Sequence, residues 1–410
     1  MRRHLLALLA PLALGACTGT TADKVPELDY SIDQPWPSRQ ELPPLGGGRI
    51  VITNSYDDTV SLLDLDSMGS PTWGELARVP VGLNPVELEG PHHAAFSPRG
   101  DYYYVGLSYS VPGGSGPHGS HGTGSQDGYA LKLDARDNRL VGSVRVDRNP
   151  GDLIITSDGR TLLQTHFDIK KIDEVAKRGG PESDMDARLA ILDAETMTRR
   201  AMVRVCPAPH AVRLSPDETR AYVACLSDEV AVVRLDQQGY PVTRLKVPGA
   251  GTTLSPRHEP YALTVSPTDG SVWVASLKSR VLHYLDPESL TMRAERGVFP
   301  TNSLVGAPMF GTFSADGRTL YQPYQRLDSV ALIDPATSQV KGQIDLAPSG
   351  CVNVHQVELT PDGQHLLAVC EGDHVGPGSL HVVELATSSV VKTVTLGLFP
   401  DSVGILRRKP

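Results

Sequence analysis

The sequence predicts an all-β protein, a seven-bladed β-propeller with four-stranded blades. A tight-turn tetrad between two strands recurs six times, and the third and fourth strands of the repeating unit each recur seven times. The chain starts inside a unit, with the second strand RIVITN at 49–54, and finishes with a lone first strand, DSVGIL at 401–406. The two ends therefore complete one sheet, which is how propellers close their last blade and remove exposed sheet edges.

The recurring tetrads are the clearest local signal of the repeat. They read SPRG at 97, TSDG at 156, SPDE at 215, SPTDG at 266, SADG at 314 and TPDG at 360. Ser or Pro followed by Asp and Gly is typical of type I turns, with Gly in the left-handed position that closes a hairpin. A strand precedes each tetrad, as in HAAFS, and another follows it, as in YYYVGL.

The N-terminus has the features of an export signal. MRRHLLALLAPLALGAC joins a cationic head to an apolar stretch that is too short to span a bilayer. Residues 14–17, LGAC, resemble the bacterial lipobox, which implies cleavage before Cys17 and lipidation of that residue. Two or three acyl chains would anchor the protein stably. The alternative is a plain secretory signal with an incidental Cys.

These features divide the chain into a signal peptide at 1–16, a Pro- and Gly-rich tether at 17–47, a propeller at 48–406 and a tail at 407–410. We expect an exported, membrane-anchored lipoprotein on the periplasmic or cell-surface side. Thr18 in place of Asp favours the outer membrane.

The net charge and the absence of several sequence motifs argue against some classes of function. The net charge of −9 provides no basic surplus to neutralise phosphates, which argues against a nucleic-acid partner. The sequence contains no Cys-x-x-Cys-His, no Gly-x-Ser-x-Gly and no phosphate-binding Gly loop followed by Lys. The missing motifs therefore favour a non-catalytic protein over an enzyme. We also expect the protein to be a monomer.

Four cysteines remain after Cys17, in a frame that occurs twice. CPAPHAVRLSPDETRAYVAC and CVNVHQVELTPDGQHLLAVC each place a His four positions after the first Cys. An even number of Cys in an oxidising compartment predicts two disulfides. The pairs are Cys206–Cys225 and Cys351–Cys370, at the ends of adjacent antiparallel strands. The alternative is a soft metal site that combines Cys206 with His210, or Cys351 with His355.

The start of each blade's first strand is predicted to lie at the mouth of the central channel. The residue five positions before the turn anchor is expected there, which gives His92, Gly151, His210, Tyr261, Met309 and His355. In blade seven, alignment of Pro400 gives Asp401. Three of the seven are His, in blades one, three and six, which approaches threefold spacing. Three converging imidazoles predict a copper, zinc or iron site, or a haem, with Met309, Asp401 and His166 as further ligands.

Two other uses of the mouth stay open, a water-filled polar funnel and a small-molecule pocket. We expect the neighbouring His93 to face into the blade stack, because successive strand residues point to opposite faces.

Long loops gather on the mouth face. Blade one inserts YSVPGGSGPHGSHGTGSQDG with His118 and His121, and blade six carries EGDHVGPG with Asp373 and His374. Blade two inserts the charged stretch DIKKIDEVAKRGGPESDMD, in which we expect a short helix. Elaborated loops on a rigid scaffold are where binding usually resides, so these residues and Tyr261 are predicted to contact a protein partner or a small ligand.

Units such as PHAVRLSPDETRAYVACLSDEVAVVRLD resemble the YVTN-type propeller repeats of bacterial envelope proteins. They are also similar to the propeller that carries haem d1 in cytochrome cd1 nitrite reductases. The resemblance extends over 49–406 and implies the fold far more than the function. The stretch GPHHAAFSPRGDYYYV, at 90–105, is similar to one in propeller lactonases.

Three functions follow from these observations. The first is a lipoprotein that acts as a binding or scaffold module through its loop-rich mouth. The second is a metal- or haem-dependent redox protein with a His-lined site. The third is a propeller lactonase.

Overall fold

The computed structural model describes residues 48–84, 87–109, 121–293 and 306–406. The predicted signal peptide, Cys17, the tether, His118 and the tail lie outside the described residues, so these assignments stay predictions.

The described strands form seven antiparallel sheets, which confirms the seven-bladed propeller. The first fifteen strands are β1 (Arg49–Asn54), β2 (Thr59–Asp64), β3 (Ala77–Pro80), β4 (Pro91–Phe96), β5 (Tyr102–Leu107), β6 (Asp127–Asp134), β7 (Leu140–Arg148), β8 (Pro150–Ile155), β9 (Thr161–His166), β10 (Asp186–Asp193), β11 (Thr198–Pro207), β12 (Pro209–Leu214), β13 (Arg220–Cys225), β14 (Glu229–Arg234) and β15 (Val242–Lys246). The others are β16 (Pro260–Val265), β17 (Val272–Ser276), β18 (Leu282–Asp286), β19 (Thr291–Arg293), β20 (Ala307–Pro308), β21 (Thr312–Phe313), β22 (Leu320–Gln325), β23 (Ser329–Asp334), β24 (Gln339–Asp345), β25 (Val354–Leu359), β26 (His365–Cys370), β27 (Pro377–Glu384), β28 (Ser389–Leu398) and β29 (Pro400–Leu406).

The last blade closes as the strand count predicts. Its strand order is β29-β1-β2-β3, and β1 pairs antiparallel with β29 in a register that places Ile50 opposite Ile405. Strands from both ends of the chain thus share one sheet, in which β29 is the inner strand and β1 the second strand.

The predicted turns form between the first and second strands of the blades. In blade one the Gly100 amide donates to the Ser97 carbonyl at 2.8 Å, and Gly100 has φ +74°. Blade three uses Glu218 at the same place, with φ +56° and a 2.8 Å bond to Ser215. The turn therefore requires a left-handed backbone conformation at this position, and Gly adopts that conformation with the least strain.

The inner strands share an irregularity that decides what lines the channel. The pairing register shifts between Pro91 and Ala94 in blade one, and similar shifts occur at the starts of β8, β12, β16 and β25. A bulge of this kind breaks the strict alternation of side chains. Consecutive residues such as His92 and His93 can then both face the axis.

The insertion in blade two forms the helix α1 (Ile169–Lys177), which confirms the predicted helix. The Asp168 carboxylate caps α1 by accepting from the Lys171 amide at 3.1 Å, and Ile172 and Val175 are its buried residues. Short 3-10 turns occur at Glu182–Met185 and Ala347–Ser349.

Both predicted disulfides are present, Cys206–Cys225 and Cys351–Cys370. Cys206 lies in β11, the outer strand of blade two, whereas Cys225 ends β13 in blade three. The bridge thus joins neighbouring blades rather than adjacent strands of one blade, because β11 ends at Pro207 and the inner strand β12 of the next blade begins at Pro209. Since the sulfurs are bonded to each other, the alternative of Cys–His metal sites is wrong.

Candidate metal centre

Side chains from blades one, three, six and seven converge at the upper end of the channel. His92 Nε2 lies 2.8 Å from Asp401 Oδ2, and His355 Nδ1 lies 2.6 Å from Asp401 Oδ1. The ring centroids of His92 and His210 are 5.5 Å apart. These four residues are buried, with at most 1% of the surface of each exposed. The inner-strand positions singled out in the sequence therefore meet, although their role as ligands stays a prediction.

Each of these histidines directs its Nδ1 at an oxygen on the inner strand of the next blade. His92 contacts the Gly151 carbonyl at 3.1 Å, and His210 contacts the Tyr261 carbonyl at 3.1 Å. His355 contacts the Asp401 carbonyl at 2.6 Å. Because a carbonyl can only accept, Nδ1 carries the proton and Nε2 is directed elsewhere. This arrangement is typical of the outer shell of metal-bound histidines.

His93 is part of the same centre, contrary to the expectation that it faces the blade stack. Its Nδ1 lies 2.9 Å from Asp152 Oδ1, and its ring centroid is 4.5 Å from that of His92. The bulge at the start of β4 is the physical reason. His93 Nε2 is buried and has no hydrogen-bond partner among the described residues.

We call His92, His93 and His210 the first donor group. One ring nitrogen from each lies within 4.8 Å of the others, and all three residues are buried. Neutral imidazole nitrogens are suitable ligands for zinc, copper, iron and nickel.

We call His355, Glu371 and Asp401 the second donor group, and its ligand atoms also lie within 4.8 Å of one another. Glu371 Oε1 accepts from Gln325 Nε2 at 2.8 Å, and Glu371 Oε2 lies 2.8 Å from His374 Nε2. Glu371 is not among the site residues predicted from the sequence; it directly follows the disulfide-bonded Cys370 at the end of β26.

The buried charges perturb one another strongly. Burial alone would lower the pKa of His355, but the Asp401 carboxylate outweighs burial and raises the pKa to about 9. Burial would raise the pKa of Asp401, yet His92 and His355 hold it well below the usual range. Burial raises the pKa of Glu371. Perturbations of this kind are concentrated at functional sites in proteins.

Aromatic side chains fill the mouth above the first donor group. His121 stacks on His92 with a centroid distance of 4.0 Å, and its Nε2 lies 3.1 Å from His210 Nε2. Phe167 lies 4.9 Å from His121, and Tyr261 stacks on His210 at 3.6 Å. Among the described residues, the mouth is therefore packed rather than a water-filled funnel. Rings in mutual contact leave no space of macrocycle size between them, so the arrangement does not fit a haem.

A cavity of about 370 Å³ lies in the channel on the other side of the centre. Residues of the inner strands β4, β8, β12, β25 and β29 line it, and it reaches His93, Asp152 and Arg213. Asp152 forms an ion pair with Arg213 as well as with His93. Burial would raise the pKa of Asp152, but Arg213 and His93 outweigh it and lower the pKa.

The other predicted site residues have separate roles. Met309 packs in an apolar cluster, and the neighbouring Phe310 contacts the centre instead, at 5.2 Å from His93. His166 bonds within blade two, with Nδ1 2.5 Å from the Arg188 carbonyl and Nε2 accepting from the Asp147 amide at 3.2 Å. Neither donor group includes it.

Two predicted residues of the blade-six loop have different roles: Asp373 stabilises a turn, and His374 contacts the centre. The exposed Asp373 accepts from the amides of Val375 and Gly376, which is turn chemistry. His374 contacts Glu371 and packs on Phe399 at 4.2 Å, and this links the mouth face to the second donor group.

No family model and no curated protein matches this chain. Among solved structures, the chain is similar to the dihydro-heme d1 dehydrogenase NirN, with TM-score 0.52, 18% identity and coverage of 89% of this chain and 76% of that one. It is also similar to a periplasmic gluconolactonase from Pseudomonas aeruginosa, with TM-score 0.59, 16% identity and coverage of 88% and 99%. A putative 6-phosphogluconolactonase from Bacteroides uniformis gives TM-score 0.61, 12% identity and coverage of 88% and 100%.

At these identities the likeness establishes the propeller fold alone. The assignment to YVTN-type repeats and to lipoproteins rests on the sequence and stays a prediction. Within the described part of the chain, no helix has the length and apolar character needed to cross a membrane.

Proposed function

We propose that this chain is an exported, lipid-anchored β-propeller that binds a transition-metal ion at the upper end of its channel. The observation that carries the proposal is the first donor group, in which three buried imidazoles from two blades place nitrogens within 4.8 Å of one another. Copper, zinc and iron are the ions that such a donor set suits.

The outer contacts of the histidines support this proposal. Gly151, Asp152 and Tyr261 each supply an oxygen to the Nδ1 of His92, His93 and His210, respectively. These contacts fix the rings and leave Nε2 as the inward nitrogen, as in metal sites with an ordered outer shell. A bound ion would supply Lewis-acid or redox chemistry.

His121 is a further candidate ligand from the mouth loop. Two ligands about 2.05 Å from a tetrahedral ion lie about 3.3 Å apart, since zinc–imidazole bonds are about 2.0–2.1 Å. The 3.1 Å between the Nε2 atoms of His121 and His210 is close to that edge length. Access for a small reactant would come from the 370 Å³ cavity that reaches His93.

The N-terminal sequence and the two disulfides support the export and lipid anchoring that we propose. Disulfides persist in oxidising compartments such as the periplasm, and the chain has two. Lipidation of Cys17 would hold the propeller at the membrane surface through the tether.

The test is elemental analysis of the exported chain, purified oxidised, loaded with Zn²⁺ or Cu²⁺ and desalted. We expect near-stoichiometric metal in the wild type and its loss in H93Q and H210Q. H283Q is the matched control, because His283 is equally buried but lies outside both donor groups. Equal metal contents in all four proteins, or no metal in any, would refute the proposal.

A second candidate is a binding module on the loop-rich face. A cavity of about 410 Å³ lies there beside α1, lined by charged residues that include Arg148, Asp168 and Lys171. Capture of a partner that a K171E variant fails to capture would support this role. The lactonase alternative rests on the sequence stretch at 90–105 and on the likeness in fold to gluconolactonases, and lactone turnover by the metal-free protein would be needed to establish it.

A further inference from the structure

We infer that the centre holds two metal ions rather than one, the second in the second donor group, with the Asp401 carboxylate between them. This inference rests on the proposed function, since it extends the same centre to a neighbouring set of ligands.

The second donor group is a built site of its own. His355 lies near the start of the inner strand β25, Glu371 directly follows the second strand β26, and Asp401 lies near the start of the inner strand β29. Their ligand atoms lie within 4.8 Å of one another. All three side chains are fully buried, at 0% exposure. One imidazole with two carboxylates is a harder donor set than three imidazoles, and it suits zinc, iron or manganese.

Asp401 is the structural link between the two donor groups. Its Oδ2 lies 2.8 Å from His92 Nε2 in the first group, and its Oδ1 lies 2.6 Å from His355 Nδ1 in the second. The two oxygens of one carboxylate thus face the two groups separately. Paired ions in two-metal sites lie about 3.5–4 Å apart, a spacing that a bridging carboxylate spans.

The charge balance at the centre also points to a second cation. Asp401 forms ion pairs with His92 and His355, and Glu371 forms one with His374. A histidine is a cation only when it is protonated, whereas a divalent ion neutralises two buried carboxylates at any pH at which it binds. Bound divalent ions are often the largest local charges in such a site, so an ion here would add to the histidines in stabilising the two carboxylates.

Neighbouring residues hold the Glu371 side chain in position to act as a metal ligand. Gln325 donates from Nε2 to Oε1 at 2.8 Å, and His374 lies 2.8 Å from Oε2. The Glu371 amide donates to the Asn353 carbonyl at 3.0 Å, which holds the backbone at the end of β26. Ligating carboxylates in metal sites are hydrogen-bonded in this way by an outer shell.

The test uses the full chain, loaded separately with Zn²⁺ and Cu²⁺, desalted and assayed for metal per protein. E371Q removes one ligand of the second group and keeps its shape. E89Q is the matched control, because Glu89 is also buried but bonds the amides of Leu83 and Asn84, outside both donor groups. H93Q removes a ligand of the first group, and far-UV circular dichroism checks that each variant folds.

We expect two ions in the wild type and in E89Q, and one in E371Q and in H93Q. Magnetic coupling between two Cu²⁺ ions, seen as broadened or lost electron paramagnetic resonance signals, should disappear in E371Q. One ion in the wild type that H93Q removes and E371Q leaves would overturn this inference and keep the proposed function. Two ions without coupling would place the second ion elsewhere and would also overturn it. No ion in any sample would refute both.

Discussion

The Asp401 carboxylate lies 2.6 Å from the Nδ1 of His355, and both side chains are fully buried. The two residues come from strands of neighbouring blades, β25 and β29. Their pairing therefore couples the closure of the propeller to the electrostatics of the channel.

This pair makes the stability of the metal-free protein depend on pH. His355 has a folded pKa of about 9 against an unfolded value of 6.5, so its contribution is complete below pH 6.5 and is lost as the pH rises through 9. We expect the free energy of unfolding in a chelator to fall by up to about 3 kcal/mol across that window. D401N should flatten the profile, whereas D373N, at an exposed turn, should not. An equal pH dependence of the free energy of unfolding in the wild type, D401N and D373N would contradict the coupling between His355 and Asp401.

The acid side of the stability profile should reflect His283. Burial, with His258 nearby, lowers its pKa from 6.5 to about 4. Between these values the unfolded chain takes up a proton that the folded chain does not, so stability falls as the pH falls from 6.5 to 4. H283Q should lessen this slope in denaturant titrations. H381Q should act in the same way and additively, because burial also lowers the pKa of His381 to about 4.

Removal of the bridge between blades two and three should lower stability without abolishing the fold. The Cys206–Cys225 bridge closes a loop with a sequence separation of 19, for which the chain-entropy model gives about 3 kcal/mol. The double variant C206A/C225A should therefore show a lower Tm by calorimetry under oxidising conditions. With reductant present, the wild type should fall below this variant, because it then loses the Cys351–Cys370 bridge as well. A wild type unaffected by complete reduction would argue against a stabilising role.

His121 should control how fast a bound ion exchanges with solution. Its ring covers His92 at 4.0 Å and contacts His210. H121A should release metal to a chelator on the order of tenfold faster, which corresponds to about 1.4 kcal/mol. H365A, at the opposite end of β26 from Glu371 and part of neither donor group, is the control for loss of an imidazole. Identical release rates would show that His121 neither caps nor binds the ion.

Cys17 should decide whether the protein is retained at a membrane. In cells that process lipoproteins, the wild type should partition with the membrane fraction and C17S should become soluble in the oxidising compartment. The physical reason is that several acyl chains on one residue anchor a protein, whereas the propeller offers no apolar membrane-crossing helix among its described residues. Immunoblots of fractions with and without the substitution measure this, and a soluble wild type would exclude the anchor.

The fold could be read from the sequence because it is encoded locally and repeatedly. The turn chemistry of Ser97 through Gly100 recurs in later blades, and the surplus strand at 401–406 predicts the closing pair with 49–54. The disulfide pairs could be predicted as well, from an even count and a repeated frame. That Cys206–Cys225 joins blades two and three depends on how the chain passes from one blade to the next.

The centre was only partly predictable. His92, His210, His355 and Asp401 occupy equivalent repeat positions, so the symmetry of the propeller brings them together. His93 was misplaced because a bulge breaks the alternation that a strand pattern assumes. Asp152 follows the mouth residue Gly151 as His93 follows His92, and Glu371 follows the end of a second strand, but nothing in the local sequence distinguishes these two carboxylates from turn or surface acids.

The sequence by itself determined the propeller, its closure, its cysteine pairs and the ring of inner-strand positions that carries three histidines, because each of these follows from a periodic or local pattern. Only the tertiary structure decided that the mouth is packed by His121, Phe167 and Tyr261, and that Asp401 lies between two donor groups. Most of these contacts join residues of different blades, and their distances depend on how seven blades pack around one axis.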